Sequence, residues 1–150
     1  MSNAYQEHKN QVNVMAGVKL GDQHLELSKA TVRTTSATTT TLLTYSPDND
    51  TVSTIVATIT AKQTTLGHRA SYMIAGCFVR ETTTTIAAAS TSTVQQGSTA
   101  AVITAIETNG AWDASFIMDG PSILVAVKGA ASVTIDWTCS LQATVAKVQA

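Results

Sequence analysis

The chain has 150 residues, a net charge of −1 and only 13% charged residues, about half of the ~25% that is usual in globular proteins. Its length suits one domain with a single core. Because lysine and arginine are scattered singly, no basic stripe points to a nucleic-acid partner, and no apolar run reaches the ~18 residues of a membrane-spanning helix. Threonine and serine take the place of charged residues, and β-branched threonine favours strands. The composition therefore predicts an all-β protein that binds neither nucleic acid nor a membrane.

Residues 1–17 are predicted to form an extended N-terminal arm, and residues 18–150 a single β-sandwich domain. The arm is polar and shows no hydrophobic period. Terminal segments stay disordered unless something holds them, so we expect the arm to lie on a neighbouring subunit or to fold back on its own domain. The candidate contact residues of the arm are Tyr5, Gln6, His8, Lys9, Val12 and Val14.

Strands are predicted throughout the first half of the domain, separated by turn sequences. The Ser-Pro-Asp-Asn-Asp sequence at 46–50 is a turn signal, because proline fixes φ and Asp and Asn tolerate tight geometry. The second turn is Thr-Thr-Leu-Gly at 64–67. The expected strands cover residues 24–27, 31–35, 38–45, 51–62 and 69–81.

The strand over 69–81 is apolar on both faces. Side chains alternate along a strand, so Tyr72, Ile74 and Phe78 share one face while Met73, Cys77 and Val79 share the other. Such a strand is expected to be central and covered on both sides. The second sheet is the predicted cover for one face, and a subunit interface is the hypothesis for the other.

The second half of the domain continues this pattern of short strands and turns. Asn109-Gly110 is a strong hairpin signal, Asp119-Gly120-Pro121 is a further turn, and the chain is predicted to end in a three-strand meander. The strands expected in this half cover residues 82–89, 92–95, 100–108, 112–118, 122–127 and 132–142. Short, regularly spaced strands favour an antiparallel β-sandwich or jelly roll.

Large side chains on the alternating strands define the expected core. In the last strand, Ile135, Trp137 and Leu141 share a face opposite to Asp136 and Gln142, which is typical of a half-buried antiparallel strand. The predicted core anchors are Trp112, Phe116, Trp137, Tyr72 and Phe78.

The two cysteines, Cys77 and Cys139, both fall in predicted strands. They are interpreted as two free buried thiols that act as small hydrophobic residues, with a disulfide as the alternative. Their spacing matches no metal motif.

The search for catalytic chemistry favours a protein that is not an enzyme and needs no cofactor or metal. No nucleophile elbow, dinucleotide fingerprint or phosphate loop is present. His24 and Glu26 are interpreted either as part of a metal site or as polar residues at a strand edge. The Asp48–Asp50 cluster is interpreted as an ordinary turn, with a calcium-binding loop as the alternative. Asp113 and Asp136 alternate with the tryptophans, which predicts a solvated face rather than a pair of glycosidase carboxylates.

Residues 72–148 resemble the β-sandwich domains of tailed-bacteriophage virion proteins. The matching segments are Ala70-Ser71-Tyr72-Met73-Ile74, Phe78-Val79-Arg80, Trp112-Asp113-Ala114, Val125-Ala126-Val127-Lys128-Gly129 and Thr134-Ile135-Asp136-Trp137. Such domains occur in head decoration (cement) proteins, head fibres and tail fibres, commonly as trimers. The resemblance carries no catalytic residues.

The resemblance implies a capsid decoration protein that staples capsid subunits, with the major capsid protein and other copies of itself, as a homotrimer, as partners. Its expected location is the capsid surface of the virion, after synthesis in the host cytoplasm. The short chain and its polar arm favour this function over the alternative, a head- or tail-fibre module that binds a host receptor or glycan.

Overall fold

A computed structural model of the chain describes residues 18–20, 23–80, 94–96 and 101–147. All regular structure in these ranges is β-strand. The described residues contain no helix that is long and apolar enough to cross a membrane. The strands are β1 (Val18–Leu20), β2 (Gln23–Thr34), β3 (Thr39–Tyr45), β4 (Thr51–Gln63), β5 (Arg69–Arg80), β6 (Val94–Gln96), β7 (Ala101–Glu107), β8 (Asp113–Asp119), β9 (Ser122–Lys128) and β10 (Ile135–Lys147).

The strands form two antiparallel sheets, which confirms the predicted β-sandwich. The large sheet has the order β1-β2-β10-β4-β5, and both β6 and β7 pair with β5. The small sheet has the order β3-β9-β8. Strand β10 lies in the middle of the large sheet, where it pairs along almost its whole length with β2 on one side and β4 on the other.

The strand pairing has the nested character of a jelly roll. Strand β2 pairs with β10 in the large sheet, and β3, the next strand along, pairs with β9 in the small sheet. The division of strands departs from the eight-stranded double Greek key of a standard jelly roll, because β4 and β5 form a hairpin within one sheet.

The core lies between the two sheets and is centred on aromatic rings. Trp112 and Trp137 are both at most 1% exposed, with ring centroids 5.9 Å apart, and Tyr72 stacks on Trp137 at 6.4 Å. Phe78 is also buried. Phe116 is only half-buried, because it lies on the edge strand β8, and its ring meets the edge of Phe78 at 5.4 Å.

Two close approaches fix one end of this core. The Trp137 indole N–H donates a buried hydrogen bond of 2.9 Å to the Thr34 hydroxyl. A Cβ atom on Gly129 would lie only 2.8 Å from the same Thr34 oxygen and 3.0 Å from Ile135. Glycine is therefore required where the β9–β10 connection passes over β2 and β10.

A bulge in β3 adjusts the small sheet to the core. Thr41 pairs with Ala126 and Leu43 with Val125, so Leu42 is an extra residue on the β3 side. Both Leu42 and Leu43 are buried, whereas strict alternation would expose one of them. The bulge thus lets a three-stranded sheet contribute two consecutive leucines to the core.

The predicted C-terminal meander is wrong. Strands β8 and β9 do pair, but β10 crosses to the large sheet. Strand length gives the physical reason: β10 has 13 residues, like β4, and β2 has 12, whereas each strand of the small sheet has seven. Only the large sheet satisfies the backbone hydrogen bonds along the whole of β10.

The hairpin predicted at Asn109-Gly110 is also wrong. The dipeptide does form a turn, in which the Trp112 N–H donates to the Asn109 carbonyl at 3.2 Å and the Ala111 N–H to the Asn109 side chain at 3.1 Å. The turn connects β7 and β8, which belong to different sheets. The two short strands predicted at 24–27 and 31–35 are one continuous strand, β2, since no glycine or proline interrupts residues 28–30.

Candidate interaction surface

The large sheet turns one side away from the core, and the small sheet does not cover it. We call this side the outer face. It is formed by the alternate residues of β2, β10, β4 and β5 that point away from the tryptophans. They are Leu25, Leu27, Lys29, Thr31, Arg33, Val52, Thr54, Val56, Thr58, Thr60, Lys62, Arg69, Ser71, Met73, Ala75, Cys77, Val79, Asp136, Thr138, Ser140, Gln142, Thr144 and Ala146.

One end of the outer face is a row of four charged residues, one on each strand. In the register of the sheet, Arg33 lies opposite Asp136, Asp136 opposite Lys62, and Lys62 opposite Arg69. The Arg33 guanidinium holds Asp136 with two hydrogen bonds, of 2.6 and 2.9 Å. This hydrogen bonding lowers the pKa of Asp136 and raises the pKa of Arg33.

The other two members of the row, Lys62 and Arg69, are directly opposed like charges. Neither side chain has an ion-pair partner in the part of the chain that the structure describes. Like charges directly opposite each other across two strands are destabilising. Together with Lys29 and Arg33, the outer face carries four basic groups against the single carboxylate of Asp136, although the whole chain has a net charge of −1.

The rows next to the charged row are dominated by hydroxyl groups. Thr31, Thr138, Thr60 and Ser71 form one cross-strand row, and Ser140 and Thr58 occupy the middle of the next. β-branched threonine packs well on a pleated surface, and its hydroxyl remains available to water or to a partner.

Towards the other end, the outer face becomes apolar. Leu27 is 46% exposed, Val52 47% and Met73 38%, and Val56 lies between them, half-buried. A shallow groove of about 380 Å³ runs over Leu27, Val56 and Gln142. The outer side of β5 is therefore open within the described chain, whereas the sequence predicted that this strand would be covered on both sides.

The two cysteines lie on opposite sides of the large sheet. Cys139 is buried in the core, and Cys77 is exposed on the outer face. Both are free, and a disulfide between them would have to pass through the sheet. The expectation of two buried thiols is thus wrong for Cys77, because an apolar run in β5 made its outer side look covered.

A second depression, of about 510 Å³, lies where the loops at one end of the sandwich meet. Glu107, Asp113 and Lys128 line it beside Trp112. Burial, and after it the Glu107 carboxylate, raises the pKa of the Tyr72 phenol. Within the described ranges, no three His, Cys, Asp or Glu side chains are grouped so that they could hold a metal ion.

The Asp48–Asp50 cluster is a structured turn. The Thr51 hydroxyl donates to the Asp48 carbonyl at 2.6 Å, the Arg80 guanidinium donates to the Pro47 carbonyl, and Asp50 has a positive φ of 56°. These contacts account for the turn by local hydrogen bonding, as expected for Ser-Pro-Asp-Asn-Asp.

Some predicted site residues fall outside the described chain. These are the arm residues Tyr5, Gln6, His8, Lys9, Val12 and Val14, the side chain of His24, and the strand predicted at 82–89. The charged row was missed by sequence reasoning, although alternation places Lys62 and Asp136 opposite the core. The missing information was the register, which brings Arg33 and Asp136 together although they are 103 positions apart in the sequence.

Comparison with known proteins shows that the fold of this chain is similar to part of one solved structure. No protein-family model matches the sequence, and no curated protein matches it significantly. The structure is similar to the crystal structure of the Acinetobacter baumannii phage AM24 tailspike protein, with a TM-score of 0.52 at 10% sequence identity. The similarity covers 87% of this chain and 28% of the tailspike chain, so this β-sandwich fold also occurs as one part of a much longer protein.

Proposed function

We propose that the chain is a non-enzymatic structural protein of a tailed-phage virion, and that it decorates the capsid by cross-linking capsid subunits. The observation that carries the proposal is the open outer face of a β-sandwich whose fold is shared with a phage tailspike. Four strands about 4.8 Å apart and about 40 Å long give this face roughly 750 Å². That area is close to the ~800 Å² per partner of a standard protein interface.

Capsid binding suits a surface of this kind because the shell repeats each contact many times. A flat face with many hydroxyls and few large anchors supports contacts of modest affinity, and repetition over the shell adds their effects. The polar arm of residues 1–17 is the proposed second contact, which would reach a neighbouring subunit or capsomer. Assembly of the chain into a homotrimer belongs to the same proposal.

The second candidate is a tail-fibre or tailspike module that binds a host receptor or glycan. The specific observation in its favour is that the similar structure is a tailspike. The depression beside Trp112, with its two carboxylates and Lys128, is the place where a glycan would bind in that case.

The test is sedimentation of the purified chain with DNA-free heads of the phage that encodes it. Decoration predicts that the chain co-sediments with heads and raises the temperature at which they lose integrity. Deletion of residues 2–14 should abolish binding while the domain stays folded. Unchanged binding by that deletion would remove the arm from the proposal.

Failure of the intact chain to bind heads, together with binding to polysaccharide from the host cell surface, would replace decoration with the receptor-binding function. An Asp113→Asn variant that loses this polysaccharide binding would then locate the glycan beside Trp112.

A further inference from the structure

We infer that the outer face docks on an acidic protein surface of the capsid, with its apolar end seated on an apolar patch and its charged row paired with carboxylates. This inference rests on the proposed decoration function, and it specifies the contact surface and the chemistry of the partner. Its first support is the charge distribution: the chain as a whole is slightly acidic, yet the described charges on this face are four basic groups and one acidic group.

Lys62 and Arg69 are two adjacent cations available to a partner. Arg33 is already held by Asp136 through two hydrogen bonds, whereas Lys62, which lies between Asp136 and Arg69, and Arg69 itself make no ion pair among the described residues. A carboxylate placed over the pair would relieve their repulsion and gain two attractions at once. Such complementarity speeds association and selects the partner.

The apolar end of the outer face adds a hydrophobic contact to the electrostatic contact of the charged row. Leu27 and Val56 line the groove on either side of Gln142, and the exposed side chains of Met73 and Val52 lie in nearby rows of the same face. Exposed apolar side chains grouped in this way mark interaction sites on soluble proteins. The row of Thr31, Thr138, Thr60 and Ser71 separates them from the charged row, so the face has an apolar contact towards one end and a basic contact at the other.

A second copy of the chain fits this face less well. If two outer faces met about a two-fold axis parallel to the strands, the charged row of one would lie on that of the other. An axis across the strands would lay the charged row of each copy on the apolar end of the other, and the two apolar ends meet only if the copies shift until about half of each face overlaps. That leaves roughly 380 Å² per partner, well below the ~800 Å² of a stable interface.

A polysaccharide also fits the face poorly. Sugar rings are commonly bound by stacking on aromatic side chains, and none of the described outer-face residues is aromatic. The aromatic side chains of the described residues lie in the core or on the small sheet. A protein partner therefore suits the outer face better than a polysaccharide does.

The decisive variant is Lys62→Glu. It exchanges the repulsion between Lys62 and Arg69 for an attraction, and the attraction between Lys62 and Asp136 for a repulsion. Because these exposed cross-strand effects oppose each other, the domain should resist urea about as well as the wild type. Binding to DNA-free heads should nevertheless weaken by about tenfold or more. Lys147→Glu makes the same charge change at the end of β10, in the alternation that points away from the outer face. It is the matched control and should keep wild-type affinity.

Three further measurements distinguish the contribution of the charged row from that of the apolar end. Raising the salt from about 0.1 M to about 1 M shortens the screening length from ~10 Å to ~3 Å, and should weaken the wild type more than Lys62→Glu. Soluble poly-glutamate should compete with heads for the wild type. Leu27→Ser should weaken binding while leaving the salt dependence unchanged.

The outcomes distinguish this inference from the function on which it rests. A Lys62→Glu variant that binds heads as well as the wild type does, or a Lys147→Glu variant that loses binding equally, overturns the inference and leaves decoration standing. A wild type that does not bind heads overturns both. A concentration-dependent dimer of wild type that Leu27→Ser dissolves would assign the apolar end to a second copy and likewise overturn the inference.

Discussion

Trp137 has the most buried of the described aromatic side chains, and a single hydrogen bond satisfies its polar atom. Its indole N–H is paired with the Thr34 hydroxyl, which is itself only 4% exposed. Buried donors that lose their partner cost far more than exposed ones, because water cannot replace the lost bond. The bond also joins β10 to β2 at the end of the core where Gly129 passes close to both.

Thr34→Val should therefore lower the free energy of unfolding by about 1–3 kcal/mol, since valine keeps the shape of the side chain but removes the acceptor. Thr31→Val is the matched control on the same strand, because Thr31 lies on the outer face and is exposed; its effect should stay within about 0.5 kcal/mol. Urea unfolding followed by tryptophan fluorescence measures both. Equal losses in the two variants would contradict this role of the Thr34 hydroxyl.

The two thiols should react at very different rates. The thiolate is the reactive form, and burial raises the pKa of Cys139 to about 11, whereas Cys77 is exposed on the outer face. A thiol reagent at pH 8 should label one group per native chain and two per unfolded chain. Cys77→Ser should abolish labelling of the native chain, and Cys139→Ser should leave it intact. Two fast-reacting groups in the native wild type would show that Cys139 is accessible.

At the level of elements, most strands followed from alternation, but the neighbours of each strand did not. A period of two identifies the face that Trp137 and Ile135 share, and it does so from local sequence. Pairing depends on which distant strand offers a matching length and face, as β2 and β4 do for β10. For the same reason Asn109-Gly110 predicted a turn correctly and a hairpin wrongly: the dipeptide determines local φ and ψ, and not the sheet to which the next strand belongs.

The candidate surface, too, could be predicted only in part, because it depends on which strands are neighbours. Sequence reasoning placed Asp136 on a solvated face, and the structure agrees. It did not bring Asp136 beside Arg33, or Lys62 beside Arg69, because those neighbours come from register across strands. The apolar outer side of β5 was recognised from the sequence and interpreted as a subunit interface, and that interpretation remains a hypothesis.

The Arg33–Asp136 pair between β2 and β10 should give the chain a small acid-dependent increment of stability. Because the pKa of Asp136 is lowered in the folded chain, the increment is present above the ordinary aspartate value of about 3.9. It is lost as the pH falls through the lowered folded value. Unfolding of the wild type and Asp136→Asn should therefore differ at neutral pH and converge in acid.

Salt should narrow the same difference, because both side chains are more than half exposed and salt screens exposed charges. Asp119→Asn is the control, since Asp119, the last residue of β8, makes no ion pair among the described residues. A difference between wild type and Asp136→Asn that persists unchanged in acid would show that the substitution acts through something other than the charge.

At the scale of the whole molecule, the described chain leaves the outer face of the large sheet uncovered, and the decoration proposal assigns this face to the capsid rather than to another copy of the chain. Light scattering of the purified protein should give the mass of three 15.6-kDa chains if the homotrimer is the functional unit. A single-chain mass at all concentrations would contradict the trimer and leave each copy to bind the capsid by itself.

The central position of β10 also has a consequence for how the molecule folds. Its partners, β2 and β4, are synthesised long before it, and the ribosome must add all of residues 64–134 before β10 exists to be paired. Until then β2 and β4 each present a long unpaired edge, and the core between the two sheets lacks the Trp137 side chain. Contacts between such distant segments slow folding, and exposed strand edges invite association with other chains. The sandwich is therefore expected to close late and in one cooperative step, with the nascent chain most prone to aggregation just before β10 inserts.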